Sequence, residues 1–248
     1  MTLAPRVGVL GGTFDPIHLG HLAVARQAAD SLGLDRVLLL PSRTPPHRPV
    51  DASASVFHRF AMVALSASTD SRLVASDLEL GRPGASYTAD TLRALHATGL
   101  EGWQIFFLTG ADAFAEIATW REYPAVLDLA HFVVCSRAGA AATSLPGRLP
   151  DLAARMIPVP AGTASRGSED RGLHHASVLT GPETRVFLLD CSTPDVSSTG
   201  IRARARAGRS LAGLVTPEVD DYIRRHGLYG VQAGAAPGGR PAAGNLHD

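Results

Sequence analysis

Short runs of apolar residues recur along the chain, separated by longer stretches with helical spacing. This alternation limits the available folds more than any other feature. The runs are RVGVL (6–10), RVLLL (36–40), RLVAS (72–76), QIFFLTG (104–110), HFVVC (131–135) and TRVFLLD (184–190). They are apolar throughout instead of alternating, as strands covered on both faces must be. Between them, the segments 21–33, 57–68 and 88–99 carry apolar residues at helical spacing and end near Gly or polar residues. Strand alternating with helix predicts an α/β fold, a doubly wound, mostly parallel, Rossmann-like sheet. With 248 residues and 45% hydrophobic content, the chain can fill the core of a single domain spanning 1–230. An excursion at 138–181, rich in Ala, Gly, Pro and Ser, interrupts the pattern with one weak strand candidate at 156–160. The Gly- and Pro-rich residues 231–248 read as a disordered tail.

Charge narrows the partners. Basic and acidic residues balance at 23 each, so no whole-molecule field draws in nucleic acid or an anionic membrane, and neither is expected as a partner. All 23 basic residues are Arg. The absence of Lys removes Schiff-base chemistry and the P-loop lysine, leaving Arg and backbone amides to bind any anion. Cys135 and Cys191 both lie in apolar surroundings, which fits reduced, buried thiols better than a disulfide framework or a cysteine zinc site. The N-terminus lacks the apolar core of a signal peptide, and no apolar run is long enough to cross a bilayer. The expected location is the cytoplasm, and a homo-oligomer is compatible with the sequence.

The densest motif is GGTFDPIHLGH, residues 11–21, directly after the first strand and opening the first helix. Gly11 and Gly12 let a ligand approach the backbone, Thr13 and Phe14 can present amide N–H groups, and a helix N-terminus favours an anion. The motif is neither G-x-x-x-x-G-K-[ST] nor G-x-G-x-x-G, so it is not a P-loop or a dinucleotide fingerprint. His18 and His21, three apart, fall on one face beside this cradle. A pair of surface histidines is the bland alternative. Metal binding lacks a third ligand at suitable spacing.

GGTFDPIHLGH resembles the signature of the nucleotidylyltransferase superfamily, whose hallmark is a His-x-Gly-His element at this place. The GGTFDP form is most similar to the nicotinate-nucleotide adenylyltransferase family, and the resemblance runs from about Arg6 to Tyr229. It implies adenylyl transfer from ATP to nicotinate mononucleotide, forming deamido-NAD and pyrophosphate in NAD biosynthesis. ATP would arrive with Mg2+ held mainly by phosphates and water, with no protein metal site. His18, His21 and Arg202 would be catalytic.

The remaining motifs each have two readings. PSRTPPHRP (41–49) holds His47 and Arg48 on a proline-stiffened loop, which suits phosphate but also an ordinary turn; the resemblance puts both residues on the substrate. SYTADTL (86–92) opens a helix with Ser86 or Thr88 as candidate N-cap, and helix-start amides prefer a carboxylate to an amide. The resemblance assigns Tyr87 and Thr88 to the pyridine acid group. LTGADAF (108–114) offers Gly110 for close backbone approach and Asp112 as an acceptor for hydroxyls, matching the family's Gly-x-Asp segment. Trp120 lies in the polar context ATWREYP; packing is its usual role, whereas the resemblance stacks it on the pyridine ring. Arg137 matches a position that contacts substrate phosphate. In DVSSTGIR (195–202), Ser197, Ser198 and Thr199 precede a helix carrying Arg202, either an ordinary capped helix or a second phosphate site. The family's Ile-Ser-Ser-Thr-x-x-Arg element is similar, with Val196 in place of Ile. Alternatives at this point are nicotinamide mononucleotide or another phosphorylated acceptor, a non-catalytic nucleotide-binding regulator, and an interaction protein on the same scaffold.

Overall fold

The computed structural model describes residues 4–44, 53–82, 84–136, 141–159 and 182–231. Seven strands form one parallel sheet in the order β3-β2-β1-β4-β5-β7-β6. They are β1 (Val7–Gly12), β2 (Arg36–Pro41), β3 (Leu73–Ala75), β4 (Ile105–Gly110), β5 (His131–Cys135), β6 (Met156–Val159) and β7 (Val186–Leu189). Successive residues alternate between two cores. Leu10, Leu39, Phe106, Val133 and Phe187 pack on one face, and Val9, Leu40, Phe107, Val134 and Leu188 on the other. Burial on both faces explains why these strands read as unbroken apolar runs.

The main helices are α1 (Leu19–Leu32), α2 (Val56–Ala67) and α3 (Thr88–His96), then the short α4 (Ala111–Phe114) and α5 (Leu145–Arg148), and finally α6 (Ser198–Arg206) and α7 (Pro217–Arg225). α1 stops at Gly33, whose φ of 61° places it in the left-handed cap conformation. β1 lies between β2 and β4, and the chain runs outward from β1 through β2 to β3 before returning to the other side at β4. That reversal opens a crevice at the carboxyl ends of β1 and β4, where doubly wound sheets bind ligands.

The sheet bears out the doubly wound, parallel reading. Within the excursion, the weak strand candidate forms β6, an edge strand on β7. The expected disordered tail, 231–248, lies outside the described residues apart from Val231.

Candidate active site

A cavity of about 770 Å³ opens at the crevice between β1 and β4. Its first wall is the turn from β1 into α1. Gly11, Gly12, Thr13, His18 and His21 all line it. His18 is the N-cap of α1, and its backbone N–H donates to His21 Nδ1 at 3.2 Å. Since Nδ1 accepts, the proton of the neutral His21 ring sits on Nε2. The two imidazoles stack with centroids 3.6 Å apart and 24° between their planes. Gly20 sits tightly between His18 and Val196: a Cβ there would lie 3.1 Å from the His18 ring and 3.1 Å from Val196 Cγ1, so both would have to give way by a few tenths of an ångström. Gly11 is the opposite case, with nothing within 4 Å of its Cβ position. Phe14 takes φ 49° and turns its ring into the core, edge-on to His21 with centroids 5.0 Å apart.

The facing wall comes from the start of α3 and the loops after β4. Tyr87, Thr88, Gly110, Asp112 and Trp120 line it together with Arg121. The sequence pointed to Ser86 or Thr88 as the N-cap of α3, whereas Tyr87 occupies that position with no side-chain cap hydrogen bond. Ser86 is engaged elsewhere, accepting from the backbone N–H of Arg43 at 3.1 Å. The first-turn amides of α3 therefore lack a side-chain acceptor beside the cavity, which suits an incoming anion. Packing, the usual role of a tryptophan, is what the structure shows for Trp120. It packs edge-on against Phe107 and Phe132, at 6.2 Å to each centroid, and is part of the cavity wall. Arg121 lies over the Tyr87 ring at 4.8 Å and pairs with Asp90 at 3.3 Å.

The serine-threonine segment sits behind the first wall. Ser197 caps α6 by accepting from Gly200 N–H at 3.1 Å, and Ser198 Oγ donates to Pro16 carbonyl at 2.8 Å. Arg202 donates to the Asp15 carbonyl at 2.7 Å and to Thr199 Oγ1 at 3.4 Å. Ser198 and Arg202 thus grip the β1–α1 loop, while the preceding Thr193–Val196 reach the cavity itself. His47, Arg48 and Arg137 lie outside the described residues.

The sequence pattern of the Cytidylyltransferase-like family matches residues 9–204. A Desulfatibacillum aliphaticivorans protein named probable nicotinate-nucleotide adenylyltransferase is 38% identical over 224 residues, covering 90% of this chain and 99% of its own. A protein of the same name from Geobacter sp. (strain M21) is 39% identical over 225 residues, covering 90% and 98%. The chain belongs to the nicotinate-nucleotide adenylyltransferase family. Its fold is shared with the solved structure of a Plasmodium falciparum nicotinic acid mononucleotide adenylyltransferase complexed with NaAD. The TM-score is 0.62 at 16% identity, covering 91% of this chain and 98% of that one.

Within this adenylyltransferase-family chain, the structure also brings forward residues to which the sequence reading gave no role. Asp15 is 4% exposed, and its carboxylate accepts from Ser53 N–H at 2.7 Å, Ala54 N–H at 3.1 Å and the Tyr229 hydroxyl at 2.8 Å. Burial, with Asp15 alongside, pushes the Tyr229 hydroxyl far up, so it stays a donor. Arg59, 2% exposed, donates to the carbonyls of Thr13 at 2.6 Å, Ser42 at 2.8 Å and Arg43 at 3.3 Å. One signal could have found it. Arg59, Met62, Val63, Ser66 and Ala67 share the buried stripe of α2, so helical spacing places a guanidinium where an apolar residue belongs. Cys135 also reaches the cavity wall, but a hydrogen bond with Cys191 and burial push its thiol well up, which makes it a poor nucleophile. No group of three or more His, Cys, Asp or Glu able to hold a metal occurs among the described residues. No helix among them is long and apolar enough to cross a membrane.

Proposed function

We propose that the chain joins ATP and nicotinate mononucleotide across this cavity. A 5′-phosphate oxygen of the mononucleotide attacks the α-phosphorus of ATP in line. The new P–O bond forms as the bond from that phosphorus to the α–β bridging oxygen breaks, and pyrophosphate leaves with the electron pair. The attacking phosphate is already ionised, so positioning and charge stabilisation suffice and no covalent enzyme intermediate is needed. His21, donating through Nε2, and His18 meet charge developing at the α–β bridge. Gly11, Gly12 and the amides of Thr13 and Phe14 take the triphosphate, with Ser198 and Arg202 holding that loop from behind, Ser197 capping α6 and Thr199 accepting from Arg202. Magnesium would enter with ATP, where phosphate oxygens and water would hold it.

The acceptor occupies the opposite wall. Trp120 stacks on the electron-poor pyridine ring, and the first-turn amides of α3 at Tyr87 and Thr88 receive its carboxylate. Asp112 takes hydroxyls of the ribose, with Gly110 permitting close approach. His47, Arg48 and Arg137 are assigned to the acceptor phosphate on sequence alone. The observation that carries the reading is the stacked His18–His21 pair at the end of β1, facing a helix start without a side-chain cap across one cavity.

The test is pyrophosphate release with magnesium and ATP, comparing nicotinate and nicotinamide mononucleotides. Release with the acid alone is expected. Release mainly with the amide would overturn the acceptor assignment, and silence with both would overturn the reaction.

A further inference from the structure

Arg59 is the buried charge that the reaction scheme leaves unexplained. Its guanidinium is almost fully enclosed, and its three acceptors are all backbone carbonyls of the loops that follow β1 and β2. An apolar residue would fill the α2 stripe without the desolvation that a guanidinium suffers there, a cost visible in the downward pull of burial on its proton affinity. The gain from keeping an arginine lies in what those carbonyls control.

In a trans peptide, C=O and N–H point in opposite directions. Holding the Thr13 carbonyl therefore turns the Phe14 N–H away from Arg59, and this N–H belongs to the loop that opens the cavity. Holding the Ser42 carbonyl likewise fixes the Arg43 N–H, which donates to Ser86 Oγ at 3.1 Å. Ser86 N–H in turn donates to the Thr44 carbonyl at 3.0 Å, and the next residue, Tyr87, is the N-cap of α3. One side chain thus links the β1–α1 loop to the start of α3 through two clamped peptides.

We infer that Arg59 is a positioning residue that sets the spacing between the two walls of the cavity, through the Thr13–Phe14 and Ser42–Arg43 peptides. Its assignment of walls to donor and acceptor rests on the function proposed above; the mechanical link does not. Lysine at this position keeps a cation near Asp15 but cannot donate to three carbonyls with the fixed fork of a guanidinium.

The first experiment is amide hydrogen exchange on the full chain, wild type against Arg59→Lys. Exchange at Arg43 and Ser86–Tyr87 should quicken together by about 10-fold or more, with the strand amides Val37–Leu40 unchanged. Uniform acceleration through α2 and the sheet would reduce Arg59 to a general stabiliser and overturn the inference, as would no change at Arg43 or Ser86. The second readout is steady-state kinetics per folded molecule. Arg59→Lys should lower kcat about 10-fold while leaving KM for each substrate within a few-fold, because misalignment penalises the joint geometry more than either binding event. Ser86→Ala, which cuts the link at its far end and leaves Arg59 in place, should reproduce part of the kcat loss. An unchanged kcat in both variants would overturn the inference. Failure of the acceptor assignment would register separately, as a wild type that does not use nicotinate mononucleotide while the exchange pattern still holds.

Discussion

The two walls of the cavity are built from different materials. The β1–α1 wall is anchored from behind by buried polar groups: Asp15, Arg59 and Tyr229 are all under a tenth exposed, and Ser198 and Arg202 grip the same loop. The α3 wall is half-exposed, with Arg121 lying over Tyr87 and pairing with Asp90 at the surface. A wall that must stabilise charge gains from dipoles fixed in advance, because reorganisation at the moment of reaction costs rate. Under the proposed reaction, the α3 wall has only to choose between ring substituents, for which a shape and a local field suffice.

That contrast predicts where each substitution should act. The largest effect should follow His18→Ala or His21→Ala, each lowering kcat/KM at least about 10²-fold through the loss of a donor to developing charge, with unchanged circular dichroism. Near-normal turnover in both would mean the buried wall is scaffolding and not chemistry. Gly11→Ala comes next. Its Cβ meets nothing in the protein, so stability should hold while affinity for a non-hydrolysable ATP analogue falls about 10-fold, measured by calorimetry. Trp120→Ala should raise KM for the acceptor by about 10-fold, leaving KM for ATP unchanged, and an equal rise for both substrates would erase the division between the walls.

The smallest effect on turnover should come from His131, at the end of the sheet remote from the cavity. Burial holds its pKa down from 6.5 to about 4, and Nδ1 accepts from Arg185 N–H at 2.9 Å. The folded state thus favours the neutral ring, so the contribution is complete above pH 6.5 and is lost as pH falls from 6.5 towards 4. The span corresponds to about 3 kcal/mol of unfolding free energy. Chemical denaturation across this window, wild type against His131→Gln, should show the extra loss in the wild type only. Parallel pH profiles would remove the assignment, and kcat of the folded molecule should not change.

Much of the framework was legible in the chain, and for a physical reason. Strands buried on both faces need continuous apolar runs, and HFVVC coincides with β5 to the residue. The His-x-Gly-His spacing likewise carries its own geometry, since residues three apart on a helix start must meet. Asp15, Arg59 and Tyr229 were silent because their meaning lies in contacts between distant segments. Asp15 stood inside the most conspicuous motif and still showed no partner, the Tyr229 hydroxyl being 214 residues away. The cap of α3 was misread for a related reason: Ser86 is drawn off by Arg43, a competitor that local sequence does not reveal.

The bond between Tyr229 and Asp15 also has a temporal side. A growing chain emerges from its N-terminus, so the loop carrying Asp15 is made well before the segment carrying Tyr229, and its carboxylate is fully engaged only after that segment arrives. At typical synthesis speeds of about 5–20 residues per second, the 214-residue separation corresponds to roughly 10–40 s. During that interval the early strands can pair while the β1–α1 loop stays unlocked. A nascent chain should therefore acquire its sheet before it acquires its catalytic competence.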